Sequence, residues 1–241
     1  MTDCLLSERR GDVALLTLNR PDRRNALNIE LCRAITAATK QAAAEGVRAI
    51  VVTGMGSSFC SGADLSQVYG REFIDALYAM LHGLSQLTVP LIAAVNGPAV
   101  GGGAQLSIAC DLRVVDASAS FAIPTAKNAL AVDTWTIHTL AGLTGHGLAR
   151  RMLLAAETID ATTAVRTGLA DRAGDLDVAI TWAEQISEFA PLTLAYTKRV
   201  LNGWADEAET ASRYAEVWSS RDAAEAAQAW REKRTPRFLG D

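Results

Sequence analysis

This sequence has no pair of cysteines at metal-ligand or redox spacing: Cys4, Cys32, Cys60 and Cys110 stand far apart, with no C-x-x-C among them. That spacing excludes a zinc ribbon and a dense disulfide framework, and it reads as reduced thiols in a cytosolic protein. Histidine is scarce as well. His138 and His146 have no partners at ligand spacing, so no metal is expected, and His82 reads as a surface or packing residue of a helix. No apolar run approaches the roughly 20 residues of a membrane span. The first ten residues, interrupted by Asp3 and Glu8, lack the apolar stretch of a signal peptide. A cytoplasmic location is the simplest expectation. Basic residues are not in excess: 23 Lys and Arg face 27 Asp and Glu, for a net charge of −4. Nucleic acid is therefore not an expected partner, because the counterion-release drive is missing. A polyanionic ligand would have to be met by a local basic cluster. No repeat suggests a solenoid.

What is present suffices for a core of normal size: 241 residues, 49% of them hydrophobic and 21% charged. The first two thirds alternates strand and helix signals. Val13 to Leu18 is a short apolar run closed by Arg20-Pro21, hence a strand. Leu31, Ala34, Ile35, Ala38 and Ala42 fall on one helical stripe, with Asn28 as N-cap, Glu30 in the first turn and Gly46 as the stop. Residues 48–53, 91–95 and 112–115 read as strands, the first apolar enough to be buried on both faces. Residues 67–87 carry Ile74, Leu77, Leu81, Leu84 and Leu87 at helical spacing, and 104–110 reads as a short buried helix. Beyond residue 133 the chain is almost wholly helical. A βαβα pattern followed by helices predicts an α/β fold with a helical C-terminal part, divided near Pro191 into 1–190 and 191–241.

Two loops come after buried strands and carry the chemistry. Gly101-Gly102-Gly103 lies between a strand and a short helix, where glycine permits positive φ and close approach of a ligand. The first free N–H groups of that helix and its dipole would face a ligand in front of the loop. The second loop runs from Gly56 to Leu65, with small residues at Cys60, Ser61, Gly62 and Ala63 and with Asp64 able to cap the next segment. Either loop alone is also a common turn, and the glycine run is not a dinucleotide fingerprint.

Taken together, four segments resemble the crotonase (enoyl-CoA hydratase/isomerase) family over essentially the whole chain. They are Arg20-Pro21-Asp22-Arg23-Arg24-Asn25-Ala26-Leu27; Gly56-Ser57-Ser58-Phe59-Cys60-Ser61-Gly62-Ala63-Asp64-Leu65; Asn96-Gly97-Pro98-Ala99-Val100-Gly101-Gly102-Gly103; and Glu232-Lys233-Arg234-Thr235-Pro236-Arg237-Phe238. The resemblance implies a spiral of ββα units with a C-terminal oligomerisation region, assembled as a homotrimer or a hexamer. The aromatic residues Trp204, Tyr214, Trp218 and Trp230 would seek burial, against a neighbouring subunit as the simplest outlet or on the chain's own core. It implies an acyl-CoA thioester as ligand or substrate, in fatty acid metabolism, with no permanently bound cofactor. The backbone N–H groups of Ala63 and Gly102 would form an oxyanion hole for the thioester carbonyl. Coenzyme A would be met by Arg23, Arg24, Ala26, Ser61, Ala63, Asp64 and Leu65. Arg20, Arg23 and Arg24 form the local basic cluster for its phosphates, and Lys233 and Phe238 of a neighbouring subunit would lie near the adenine.

The family's hydratases hold a water between two glutamates, and the matching positions here are Gln105 and Thr125. In this the chain resembles actinobacterial members that lack the catalytic glutamates. Neither an amide nor a hydroxyl can take up a proton near neutral pH, and losing one positioned acid or base costs roughly 10²–10⁴-fold in rate. The expectation is an acyl-CoA binder with little or no hydratase activity. The alternative is an active hydratase or double-bond isomerase with Asp133 as base, although Asp133 before Thr134 is also placed to cap a helix. Trp135, where relatives carry small residues, suggests a reshaped acyl pocket.

Overall fold

The computed structural model describes residues 4–64, 68–204 and 206–241. The chain begins with a hairpin, β1 (Leu5–Arg10) and β2 (Val13–Leu18), turned at Gly11, whose φ is 59°. It continues through α1 (Ile29–Ala44), β3 (Ala49–Gly54), α2 (Arg71–Gln86), β4 (Leu91–Val95), β5 (Pro98–Val100), α3 (Gly102–Ala109), β6 (Leu112–Val115) and β7 (Ser120–Ala122). After a 3-10 turn over Thr125–Asn128, the second after Pro21–Arg23, come α4 (Thr134–Leu153), β8 (Ile159–Asp160), α5 (Ala161–Thr167), β9 (Arg172–Ala173) and α6 (Leu176–Ser187). The chain ends in α7 (Pro191–Leu201), α8 (Glu207–Ser219) and α9 (Arg221–Glu232).

The main sheet has the order β1-β2-β3-β4-β6-β9 and is parallel apart from β1; the smaller sheet has the order β5-β7-β8. Period-two alternation sends the side chains of β3 into two different cores. Ile50 and Val52 join the large core with α1, α2 and α3, while Ala49 and Val51 join a smaller one beneath α6. That double burial explains the nearly continuous apolar run of this strand. The parallel pairing of β3 with β4 has the consequence that matters most for function. Both strands end at the same edge of the sheet, so the loops that leave them, 55–64 and 96–101, emerge side by side.

The helices agree closely with their sequence signals. Asn28 caps α1 by accepting from the Leu31 N–H at 2.9 Å, and Asp133 caps α4 by accepting from Thr136 N at 3.0 Å. Helix α2 starts at Arg71; the expected first turn from Gln67 falls partly on residues 65–67, outside the described residues. Helix α3 starts at Gly102, earlier than the apolar pattern indicates, because the glycines themselves form its first turn. The short strands β1, β5, β7, β8 and β9 go beyond the sequence expectation. They are two to six residues long, and several are polar on their exposed side. Helix α7 docks on the chain's own core through Lys198, whose buried ammonium meets Asp111 Oδ2 at 2.7 Å.

Candidate functional site

The three N-terminal motif segments are stitched into one unit by backbone pairing. Leu27 N donates to Gly62 O and Asp64 N to Leu27 O, each at 2.7 Å, which makes a one-residue parallel bridge between Leu27 and Ala63. Cys60 N donates to Pro98 O at 3.1 Å and Val100 N to Cys60 O at 2.9 Å, a second bridge between Cys60 and Ala99. Glycine is required where the loops touch. A Cβ at Gly103 would lie 2.1 Å from Cys60 O, and one at Gly97 would lie 2.3 Å from Ser57 O. The positive φ of the glycine run belongs to Gly101 (53°), while Gly102 opens α3.

Two asparagines lock these loops. Fully buried Asn25 donates through Nδ2 to Met55 O (3.0 Å) and Ser58 O (2.8 Å) and accepts from Arg20 N at 2.9 Å. Asn96 donates to Gly54 O (2.7 Å) and Gly56 O (2.9 Å) and accepts from Gly54 N at 3.2 Å. Both stand in the motif segments, but sequence reasoning misses their positioning role; a polar residue held at a fixed place between an exposed turn and an apolar run is the signal that points to it.

The stitched loops form one wall of an apolar cleft of about 380 Å³. Ser61, Gly62, Ala63, Gly101 and Gly102 line this wall. Helix α2 contributes Phe73, Ile74, Leu77 and Tyr78, and the far side carries Gln105, Thr125 and residues 128–132. Ala63 and Gly102 face each other closely: a Cβ on Gly102 would sit 3.7 Å from Ala63 N. Among the described residues, neither the Ala63 nor the Gly102 N–H donates to a backbone carbonyl. Gln105 is buried beneath them, and its Oε1 accepts from Thr136 Oγ1 at 3.1 Å. Thr125 lines the same cleft. Among the described residues no carboxylate, histidine, lysine or arginine lines it. The titratable side chain it does hold is Tyr78, whose phenol is pushed up by burial.

Asp133 lies just outside the cleft lining, and its carboxylate is committed. Oδ1 accepts from Thr136 N, and Oδ2 meets His82 Nε2 at 2.8 Å. Burial would raise this carboxyl, but the hydrogen bonds from Thr136 and His82 outweigh it and hold the group below the ordinary aspartate range. Such a group is a weak base. Trp135 does not line the cleft; it lines a second cavity, of about 810 Å³, with His138, Leu143, Trp182 and Leu201. Trp135 is thus not part of the cleft lining itself; it stands in the first turn of α4, directly after the capping Asp133.

The basic cluster is smaller than its sequence. Arg20 is partly buried and spent on structure, donating to the Ala26 carbonyl and pairing with Asp64 Oδ2 at 3.2 Å. Arg23 and Arg24 are exposed beside Ser61, whose N–H donates to Arg24 O at 2.9 Å. Ala26 is buried and Leu65 lies outside the described residues. Lys233 and Phe238 are not brought to the cleft within one chain. Phe238 O accepts from Arg48, just before β3, at the strand's opposite end from the loops, on the order of 17 Å along a six-residue strand. Trp204, expected to need an outside partner, packs on its own chain and donates Nε1 to Ser85 Oγ at 3.0 Å.

Comparison with known proteins bears on this geometry. Residues 8–241 match the enoyl-CoA hydratase/isomerase family. The chain is 45% identical over 233 residues to the probable enoyl-CoA hydratase echA6 of Mycobacterium tuberculosis, covering 95% of this chain and 96% of that protein. It is 30% identical to a short-chain-enoyl-CoA hydratase of Clostridium acetobutylicum, with 95% of each covered. The crystal structure of an enoyl-CoA hydratase from Bacillus anthracis superposes with a TM-score of 0.90 at 28% identity, over 99% of this chain and 100% of that one. An enoyl-CoA hydratase from Mycobacterium tuberculosis H37Rv gives 0.85 at 31% identity, over 100% of both chains.

Proposed function

Because the chain belongs to the enoyl-CoA hydratase/isomerase family of the crotonase superfamily, we propose that it binds acyl-CoA thioesters in the cleft while catalysing little or no hydration. One observation carries this reading. The cleft has paired backbone donors at Ala63 and Gly102, but its lining offers an amide at Gln105 and a hydroxyl at Thr125 where proton transfer would need carboxylates.

The two N–H groups act as the oxyanion hole. Fixed donors in an apolar cleft stabilise negative charge on a thioester oxygen without reorganising. That interaction binds and polarises the carbonyl, yet a hydration also needs a group to take a proton from water and return it to carbon. Asp133 does not supply this group, since its two oxygens serve Thr136 and His82. Coenzyme A lies along the Arg23–Arg24 turn and the Ser61–Asp64 loop, where exposed guanidiniums meet phosphate as bidentate donors. Leu65 is placed there by family resemblance alone.

The reading extends to assembly and setting. The C-terminal region, 191–241, serves contact between copies in a homotrimer or hexamer. Trp218 and Trp230 support this, being 70% and 82% exposed in the single chain. Across such a contact Lys233 and Phe238 would reach a neighbour's coenzyme A. No described helix is long and apolar enough to cross a membrane, and we place the protein in cytoplasmic fatty acid metabolism.

Isothermal calorimetry with butyryl-CoA, beside a crotonyl-CoA hydration assay, tests the proposal. Saturable binding with turnover near background is expected. Hydration at ordinary enzyme rates would overturn the binder reading, and absence of binding would overturn the assignment of the cleft.

A further inference from the structure

The acyl cleft and the larger cavity approach one another across a stack of aromatic rings. Tyr78 lines the first and Trp135 the second. Between them stands His82, with ring centroids 6.0 Å from Tyr78, 5.6 Å from Trp135 and 5.5 Å from Trp204. Polar contacts bridge this stack. His82 Nε2 meets Asp133 Oδ2 at 2.8 Å, and Asp133 N donates to Tyr78 Oη at 3.1 Å. These bonds tie α2 to Asp133, which directly follows the segment 128–132 that forms the far wall of the cleft. His82 and Asp133 side chains remain 34% and 22% exposed. An ion pair or hydrogen bond so placed is worth little against water, so it can open without unfolding its surroundings.

We propose that the His82–Asp133 pair is a latch that sets acyl chain length: closed, it ends the acyl cleft, and opened, it admits the distal part of a long tail into the cavity lined by Trp135, Leu143, Trp182 and Leu201. This rests on the reading of the cleft as an acyl-CoA site. The cleft of about 380 Å³ lies near the lower end of the roughly 300–1,000 Å³ typical of ligand sites. The cavity beyond, of about 810 Å³, more than doubles the available space. Its wall is mainly aliphatic and aromatic, and the charged groups bordering it are already matched. Lys198 pairs with Asp111, and Arg113 donates to the Leu169 and Cys110 carbonyls at 2.7 and 2.8 Å. The occupant that suits such a wall is a flexible hydrocarbon. His82 is thus a specificity-determining residue that touches no reacting atom.

The test reads the ratio of palmitoyl-CoA to butyryl-CoA affinity by calorimetry. In the unaltered protein each added methylene should improve affinity about fourfold until the tail reaches the latch, after which the gain falls off. His82→Ala removes the latch, and the ratio should rise by about fivefold or more. Adding Gly142→Phe should then bring the ratio back down. Gly142 lines the second cavity, and a Cβ there meets nothing within 4 Å, so the new ring fills the space the tail would use. A His82→Ala ratio equal to that of the unaltered protein overturns the latch while leaving acyl-CoA binding in place. A gain that survives Gly142→Phe overturns the assignment of the second cavity. Failure of the unaltered protein to bind either thioester overturns the cleft assignment and the latch together.

Discussion

Asn25 reaches across the loop wall to donate its side-chain amide to Ser58 O at 2.8 Å, with no exposure to solvent. The same amide serves Met55 O, so one side chain fixes the loop that presents Ala63. Its own backbone is left-handed, with φ of 56°, a region asparagine tolerates better than most residues.

Asn25→Ala should therefore be costly twice over. It leaves the buried Ser58 carbonyl and the partly buried Met55 carbonyl short of a donor and places alanine at positive φ. We expect a loss of about 2–4 kcal/mol in chemical denaturation, and weaker acyl-CoA binding in whatever fraction stays folded. A loss within about 0.5 kcal/mol, the usual range for a surface substitution, would show that the loops are held by their backbone bridges alone.

Gly102→Val acts on the ligand more than on the fold. The Cβ would stand 3.1 Å from Leu27 Cδ1 and 3.7 Å from Ala63 N, so its branches occupy the space in front of the two donors. Gly102 opens α3, and no penalty for positive φ arises there; that penalty belongs to Gly101. Acyl-CoA affinity should fall at least about tenfold with the circular dichroism spectrum retained, since loss of hydrogen bonds to a charged or polarised oxygen is worth roughly 1.5–3 kcal/mol. Unchanged affinity in calorimetry would place the thioester elsewhere.

The parts of this molecule that the sequence made legible are those governed by local rules. The stripe through Leu31, Ile35 and Ala42 is buried as its spacing requires, and Asn28 and Asp133 are the caps that their positions announce. Ile74 shows where periodicity misleads. It sits on the apolar pattern of α2 but is 39% exposed, because that part of the helix faces the cleft and not the core. Ser61, Gly62, Ala63, Gly101 and Gly102, which line the candidate cleft, stand in the motif segments, yet the disposition of the charges around them was not legible. Arg20 belongs to the same basic run as Arg23 and Arg24, and only the fold shows that it turns inward to Asp64. His82 and Asp133 are 51 residues apart in sequence and meet only because α2 and the start of α4 flank one cleft.

The thiols offer a direct check on burial. Desolvation pushes Cys32, Cys60 and Cys110 each up to about 12, and the reactive species is the thiolate. Iodoacetamide at pH 8 should leave these three unmodified in the native protein and alkylate them in denaturant. Rapid native labelling of Cys60, read by peptide mass spectrometry, would contradict its place beneath the loop bridge.

Acid should release the C-terminal tail before it unfolds the core. Hydrogen bonds from Arg234, at 2.6 and 2.9 Å, and from Arg237 N, at 2.9 Å, hold the Glu225 carboxyl at about 2, below its ordinary 4.5. A carboxyl depressed in the folded state contributes stability above its unfolded value and loses it as pH falls through the folded one. Tail docking should thus be complete above about pH 4.5 and weaken toward pH 2. Hydrogen–deuterium exchange over residues 233–241 measures this, and Glu225→Gln should show the fast exchange already at pH 7. Slow exchange in that variant would mean that Asp222, which accepts from Leu239 N and Gly240 N, holds the tail unaided.

Carboxylates placed at residues 105 and 125 give the last prediction. Gln105 accepts from the Thr136 hydroxyl at 3.1 Å, and a glutamate there could accept the same bond, so Gln105→Glu preserves the local geometry. Combined with Thr125→Glu it places two acids in a cleft whose Ala63 and Gly102 N–H groups are untouched, and crotonyl-CoA hydration should rise above that of the unaltered protein. The rise will stay well short of a full hydratase rate, because two carboxylates in an apolar cleft raise each other's pKa and leave one of them protonated near neutrality. Asp133→Asn supplies the opposing arm. It removes the carboxylate beside the far wall of the cleft, and the amide can still accept from Thr136 N to cap α4. If the unaltered protein hydrates or isomerises enoyl-CoA and Asp133→Asn abolishes this without unfolding, Asp133 is the base despite its engagement with His82. If neither turns over, both bind acyl-CoA, and only the double glutamate variant gains activity, then the chemistry was lost at residues 105 and 125 while the binding apparatus was kept.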